Sequence, residues 1–426
     1  MSLFRGAWSD LTPPARRTFV ASFLGWTLDA FDFFLLTFVV VRVAGDFGRA
    51  IPEVAGAITL TLVCRPVGAL LFGWLADRYG RRTPLMVDIA CYSAIELLTA
   101  FSPNFTVFLV LRALYGIAMG GEWGLGAAMA MESVPPQRRG LFSGVLQEGY
   151  MVGYLLAGAA YYLVFHFSAA LGVEAWNWRI LFAVGALPAL AILYIRAYVP
   201  ESPAWLAGQA QRLTPARGAL WPALRRYWVL ALYAVLFMTA LNFMSHGTQD
   251  LYATFLQKQH GFSPAAVFLL SLVAALGAIA GGIVAGGFSQ RYGRRASILV
   301  CAVLGAVLVP LWSSGNVTGF LALGAFGMQF AVQGAWGVIP AHLNELSPPG
   351  ARGTFPGFTY QLGNALSAGA AQIEAAFALH FHLPGGGIDY GRAMGLVALS
   401  MFAAAIVLTA LGYLVAPENR HRNFSA

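Results

Sequence analysis

Gly73-Trp-Leu-Ala-Asp77-Arg78-Tyr79-Gly80-Arg81-Arg82 returns later in the chain as Gly286-Gly-Phe-Ser-Gln290-Arg291-Tyr292-Gly293-Arg294-Arg295, each position 213 residues from its counterpart. A second pair keeps the same offset: Glu132-Ser-Val-Pro135-Pro136-Gln-Arg-Arg139-Gly140 and Glu345-Leu-Ser-Pro348-Pro349-Gly-Ala-Arg352-Gly353. Two motifs at one spacing describe a chain made of two equivalent halves. The expected division is 1–199, a Pro- and Arg-containing linker at 200–226, and 227–426.

Working outward from the repeat, apolar runs of spanning length fill almost the whole sequence. Hydrophobic residues make up 58% and charged residues 10%, far from the balance of a soluble domain. Twelve runs are centred near residues 30, 65, 93, 118, 153, 188, 242, 276, 305, 331, 366 and 403. The expected fold class is an all-α membrane protein with twelve transmembrane helices in two pseudo-symmetric six-helix halves. Residues 1–18 are polar and basic, and the first apolar run is long enough to span, so it reads as an uncleaved first helix. Cys64, Cys91 and Cys301 lie inside apolar runs and read as small core residues. No metal site or cofactor is expected.

The net charge of +8 follows topology. With both termini on one side, the loops of that side carry nineteen Arg and the opposite side carries Arg42, Arg49, Arg179, Lys258 and Arg392. This bias places both termini and the basic loops in the cytoplasm, in a multi-pass protein of the plasma (inner) membrane. The lipid bilayer is the partner this implies; nucleic acid is not required.

Within the apolar background, Asn242-Phe-Met-Ser-His-Gly-Thr-Gln-Asp-Leu-Tyr-Ala-Thr254 is exceptional. Asn242, His246 and Asp250 recur every four residues and form one polar stripe on a helix, with Ser245 and Gln249 beside it. Hydrocarbon cannot solvate such groups, so the stripe faces protein or water. It is either helix–helix glue or the wall of a solute pathway.

The first span holds Asp29 and Asp32 one turn apart. Two carboxylates this close in a poorly solvated place suit proton carriage, or pair with a basic group. Counted from Thr18, Asp29 lies roughly 16 Å deep and Asp32 roughly 21 Å. Arg65 of the second span is also roughly 16 Å in, and Arg112 of the fourth stands at about the depth of Asp32. Asp29 is thus expected at the level of Arg65, and Asp32 at that of Arg112. Glu96 of the third span has no partner that sequence can name. The 213-residue shift maps Asp29 onto Asn242, Asp32 onto Ser245, Glu148 onto Gln361, and Arg65, Arg112 and Glu122 onto alanines. The first half therefore holds most of the buried charge, and the second half offers amides, hydroxyls and a His. In the eleventh span Tyr360, Gln361 and Asn364 sit at mid-depth, as inter-helix glue or ligands for a polar solute.

Gly73–Arg82 resembles the signature loop of the major facilitator superfamily, as does Arg112-Ala-Leu-Tyr-Gly116-Ile-Ala-Met-Gly120-Gly121-Glu122. Pro200-Glu201-Ser202-Pro203 at the end of the first half is similar too. Asp77 stands where it can meet a neighbouring helix N-terminus, and arginines can pair with carboxylates across the loop. Asp77, Arg78, Arg81 and Arg112 are therefore candidates for a conformational latch, weaker in the second copy where Gln290 replaces the Asp.

The first and seventh spans together resemble the sialate:proton symporter group of that superfamily, and most of all its lactate and pyruvate permeases. That branch's seventh-span pattern, Asn-x-x-Ser/Thr-His-x-Ser/Thr-Gln-Asp-x-x-x-Thr, is met by Asn242, Ser245, His246, Thr248, Gln249, Asp250 and Thr254. The resemblance implies substrate contacts at Arg65, Asn242, His246, Gln249, Gln361 and Asn364, and proton coupling among Asp29, Asp32, His246 and Asp250. The short stretch 200–226 differs from the sialate permeases, which tend to carry two further spans there. The expectation is a monomeric secondary active transporter moving a small monocarboxylate, lactate or pyruvate, with a proton. Its rivals are another acid (sialate, an aromatic acid or a dicarboxylate) and a non-transporting sensor. A membrane enzyme finds no support, for no nucleophile elbow, phosphate loop or metal-spaced His/Cys cluster is present.

Overall fold

A computed structural model of the protein describes residues 2–210, 225–315, 317–348, 351–421 and 424. The middle of the expected linker, 211–224, lies outside the described residues. Among them, eleven helices or jointed helix pairs are long and apolar enough to cross a membrane. The first six are Pro13–Phe47, Ile51–Tyr79, Arg82–Ala100, Phe105–Ser133, Pro136–Ala170 and Glu174–Tyr198. The seventh to tenth are Trp228–Lys258, Ala265–Tyr292, Arg294–Ser313 and Thr318–Leu346, and Tyr390–Val415 is the last. Between the tenth and the last, Phe355–Ser367 and Ala370–Ala378 form the remaining, eleventh crossing, broken at Ala368-Gly369. Its polar content (Tyr360, Gln361, Asn364, Gln372, Glu374) sets it apart from its neighbours. The fourth and tenth crossings match at both ends under the 213-residue shift.

Local chemistry sets the helix ends. Asn104 caps the fourth crossing by accepting from the Val107 N–H at 2.9 Å. Thr12 and Ser263 cap the first and eighth in the same way, each just before a proline in the first turn. The first crossing ends at Gly48, whose φ of 60° is the left-handed cap that favours glycine. Sidedness then follows from what each face can solvate. In the second crossing Val63, Val67 and Leu71 are exposed at four-residue spacing, while Arg65, Ala69 and Phe72 are buried. The apolar face meets lipid and the charged one meets protein.

The halves touch closely on the side that carries the termini. A Cβ on Gly144 of the fifth crossing would stand 2.2 Å from the Gly282 carbonyl oxygen of the eighth. Likewise, a Cβ on Gly124 of the fourth would stand 2.6 Å from the Gly357 Cα of the eleventh. Only glycine permits such backbone approach. At the membrane edge, Asp77 accepts from the backbone N–H groups of Gly353 and Thr354 at 2.7 and 3.1 Å, and from the Thr354 hydroxyl at 2.8 Å. These donors lie at the N-terminus of Phe355–Ser367, where an anion is favoured. Arg81 bridges Asp77 and Glu132, both at 3.2 Å. On the pseudo-symmetric side, Gln290 accepts from the Gly140 N–H at 3.0 Å, and Arg294 grips Glu345 through two bonds of 2.8 and 3.0 Å.

Two residues expected in this network stand elsewhere. Arg78 is exposed and lies over the rings of Trp74 and Tyr79, because its azimuth turns it away from the seam. Arg112 is deep inside the first half, paired with Glu96 and bonded to the Thr99 hydroxyl at 2.9 Å. Its helix carries it into the bundle of that half and away from the other half.

Candidate functional site

Between the halves lies a cavity of about 470 Å³. It extends from mid-depth to Thr37, Ala55, Ile58 and Thr59, at the ends of the first two crossings opposite the termini. The glycine seam and the Asp77 network close the other end, so the cavity faces the side away from the termini.

One wall is cationic and aromatic. Arg65 donates from Nη2 to Asp29 Oδ2 at 2.8 Å, and both line the cavity. The guanidinium uses one nitrogen for this bond, and its buried Nε has no partner among the described residues. A carboxylate arriving from the cavity would compete with Asp29 for this cation. Around this pair stand Trp26, Phe33, Tyr150 and Tyr360, with Arg65 over the Phe33 ring at 5.9 Å. The Trp26 indole is held by its N–H to the Gln147 carbonyl at 3.2 Å.

The other wall is polar and carries an acid, Asp250, beside His246. The seventh crossing turns Asn242, Ser245, His246, Gln249 and Asp250 into the cavity. His246 Nδ1 and Asp250 Oδ2 are 3.1 Å apart, one turn along the same helix. Gln249 donates to Ser245 Oγ at 3.1 Å and to Gln329 Oε1 of the tenth crossing at 3.0 Å. Asn242 is anchored to its own helix through the Met238 carbonyl at 2.8 Å. From the eleventh crossing come Tyr360 and Asn364. A guanidinium held by Asp29 on one side, and amides, a hydroxyl and the His246–Asp250 pair on the other, suit a solute whose carboxylate can replace Asp29 at the cation and whose further oxygen meets the amides.

Not every expected site residue reaches this space. Gln361 is fully buried outside the lining, and neither end of its amide has a partner among the described residues. It shares a helix face with Gly357, the residue packed on Gly124 of the other half, so the seam covers it. Asp32 is also fully buried off the cavity, among the charges of Glu96, Asp29 and Arg112. Conversely, Gln329 and Gln333 of the tenth crossing line the cavity without having been singled out in the sequence. Their signal was there, as two amides one turn apart in an apolar run. Glu96 finds its partner in Arg112.

The model of the Major Facilitator Superfamily matches residues 22–372. The chain is 29% identical to a carboxylic acid transporter protein homolog of Saccharomyces cerevisiae, over 96% of this chain and 69% of that one. It is 30% identical to a "Probable 4-methylmuconolactone transporter" of Cupriavidus pinatubonensis, over 96% and 92%. A sialic acid transporter of Escherichia coli is 25% identical over 96% of both. Among solved structures, a proton:xylose symporter bound to 6-bromo-6-deoxy-D-glucose superposes with a TM-score of 0.76 at 16% identity, over 97% of this chain and 98% of that one. That likeness is one of fold.

Proposed function

The chain belongs to the Major Facilitator Superfamily, and we propose that within it the protein is a proton-coupled symporter of a small monocarboxylate, lactate or pyruvate. The observation that carries this reading is Arg65: a guanidinium lining the cavity, ion-paired with Asp29 among the described residues, opposite a wall that bears amides. A single cation at mid-depth favours one carboxylate over two. The relatives described as carriers of carboxylic acids, a muconolactone and sialic acid support an organic-acid substrate. The full seventh-span pattern supports the monocarboxylate branch.

The cycle follows from the charges. Asp29 and the solute's carboxylate compete for Arg65, so a proton on Asp29 frees the guanidinium for the anion. Asn242 and Asn364 donate to the remaining oxygens, while Gln249, whose two N–H bonds go to Ser245 and Gln329, shapes the wall. His246, beside Asp250, is the rival carrier of that one proton, attracting the anion when protonated and releasing it when neutral. Parting of the glycine seam would then open the cavity toward the cytoplasmic termini and uncover Gln361. In this scheme 1–199 and 227–426 move as two bodies joined by 200–226, and Asp77 with Arg81 holds the cytoplasmic end shut. One anion moving with one proton is electroneutral.

The aromatic lining by Trp26, Tyr150, Trp336 and Tyr360 supports a second reading, in which the solute is a larger unsaturated acid. Uptake of labelled L-lactate into proteoliposomes with an alkaline lumen separates the two. Accumulation that collapses with a protonophore and falls in His246→Ala supports the first. A full signal for an aromatic acid with none for lactate sinks it.

A further inference from the structure

Among the first four crossings, above the Arg81–Glu132 pair, lie five buried carboxyl groups: Asp29, Asp32, Asp88, Glu96 and Glu122. Each is at most 1% exposed, and two buried guanidiniums, Arg65 and Arg112, stand among them. Arg65 takes Asp29 and Arg112 takes Glu96. Asp32, Asp88 and Glu122 have no ion-pair partner among the described residues, and both oxygens of Glu122 lack any hydrogen-bond partner. A bare carboxylate in such a place is costly, so groups of this kind are suited to holding a proton.

Their positions are ordered along the membrane normal. Glu122 opens the second helix of the fourth crossing, directly after the Gly120-Gly121 break. Its Oε1 lies 2.2 Å from where a Cβ of Gly25 would stand, so glycine there makes the room for this carboxyl. Gly25 is one turn from Asp29 toward the terminal face, and Glu122 is therefore the next acidic group below the cavity. Asp88 Oδ1 in turn lies 2.8 Å from the Cβ position of Gly121, the neighbour of Glu122. Asp88 is six residues from the start of its helix at Arg82, roughly 9 Å from the terminal face. The groups whose charges reach Glu122 are Asp29 on the first crossing and Arg65 on the second, with Asp88 and Tyr92 facing it from the third. The Tyr92 hydroxyl is buried beside these carboxyls and has no partner among the described residues.

We propose that Asp29, Glu122 and Asp88 form a proton route from the cavity to the terminal face, running inside the first half and apart from the seam through which the solute leaves. Among the described residues no hydrogen bond joins Glu122 to either neighbour, so intervening water molecules carry the proton from the Asp29 carboxyl to Glu122, from Glu122 to Asp88 and from Asp88 to the water of the terminal face, an O–H bond breaking at each donor as one forms at the next. Once the solute has left, Asp29 becomes the carboxylate that pairs with Arg65 and the empty carrier can return. The route rests on the proton-coupled reading above, and assigns Glu122 and Asp88 a part in it although neither lines the cavity.

Two assays on purified full-length protein in proteoliposomes separate the claims. The first is accumulation of labelled L-lactate driven by an alkaline lumen. The second is lactate counterflow at equal pH, which needs the loaded carrier to reorient but no net proton movement. Glu122→Gln and Asp88→Asn keep side-chain shape and remove the proton site. The expected result is an accumulation lowered about tenfold or more with counterflow within about twofold of wild type. Either variant behaving so supports the route. Both variants accumulating like wild type overturns it, as does loss of exchange in step with accumulation in both. Wild-type protein that exchanges lactate but ignores the pH gradient overturns the proton-coupled reading itself.

Discussion

Asp77 receives three hydrogen bonds from Gly353 and Thr354 across the seam, and its repeat counterpart Gln290 receives one across the seam, from Gly140. The two closures of the terminal face are thus unequal, and the charged one sits on a helix N-terminus.

Asp77→Asn removes the charge and weakens a charge-assisted contact worth about 1.5–3 kcal/mol. The variant is expected to populate the form open toward the termini. Distances between spin labels placed on the two halves at that face should gain a longer component. Gln290→Ala should give a smaller one, and equal effects would argue against the asymmetry.

The seam itself can be blocked. A side chain at Gly144 has no space against Gly282, so Gly144→Val should prevent closure of the terminal face. Lactate uptake should fall at least about tenfold, while thiol labelling of a cysteine placed at the terminal end of the seam rises. Unchanged labelling would show that the halves pack with more slack than the structure has.

The Glu96–Arg112 pair lies inside the first half and off the cavity. Glu96→Ala leaves a guanidinium buried without its carboxylate, a loss of about 3–5 kcal/mol in comparable buried pairs. Thermal unfolding in detergent should shift down by several degrees. The double variant Glu96→Ala/Arg112→Met should recover part of it, and no recovery would mean that Arg112 has another partner of equal weight.

Arg65→Lys keeps the charge and loses the planar fork. Lactate binding, followed through the fluorescence of Trp26 and Trp336 in the cavity, should weaken about tenfold or more. Retained affinity would place the carboxylate elsewhere.

Much of this architecture was legible in the sequence because it is local or periodic. The 213-residue repeat fixes the pairing of Asp77 with Gln290 and of Glu132 with Glu345, and apolar length marks the crossings. Residue counting puts Asp29 and Arg65 at one depth, and the structure joins them at 2.8 Å. Azimuth is what counting leaves out. Arg78 and Arg81 sit in one basic run, yet Arg78 faces outward and Arg81 the seam. Gln361 and Asn364 are one turn apart, and only Asn364 reaches the cavity because Gly357 packs the Gln361 side against the other half. The depth of Arg112 matched it to Asp32, but the direction of its helix gave it to Glu96.

Simultaneous flux measures most directly whether one anion crosses with one proton. Purified protein is reconstituted into vesicles of low buffering capacity, and labelled L-lactate entry is recorded together with the external pH. Proton-coupled symport gives alkalinisation of the bath at one proton per lactate, unchanged when a potassium diffusion potential is imposed. Lactate entry without alkalinisation, or entry that follows the imposed voltage, would contradict it.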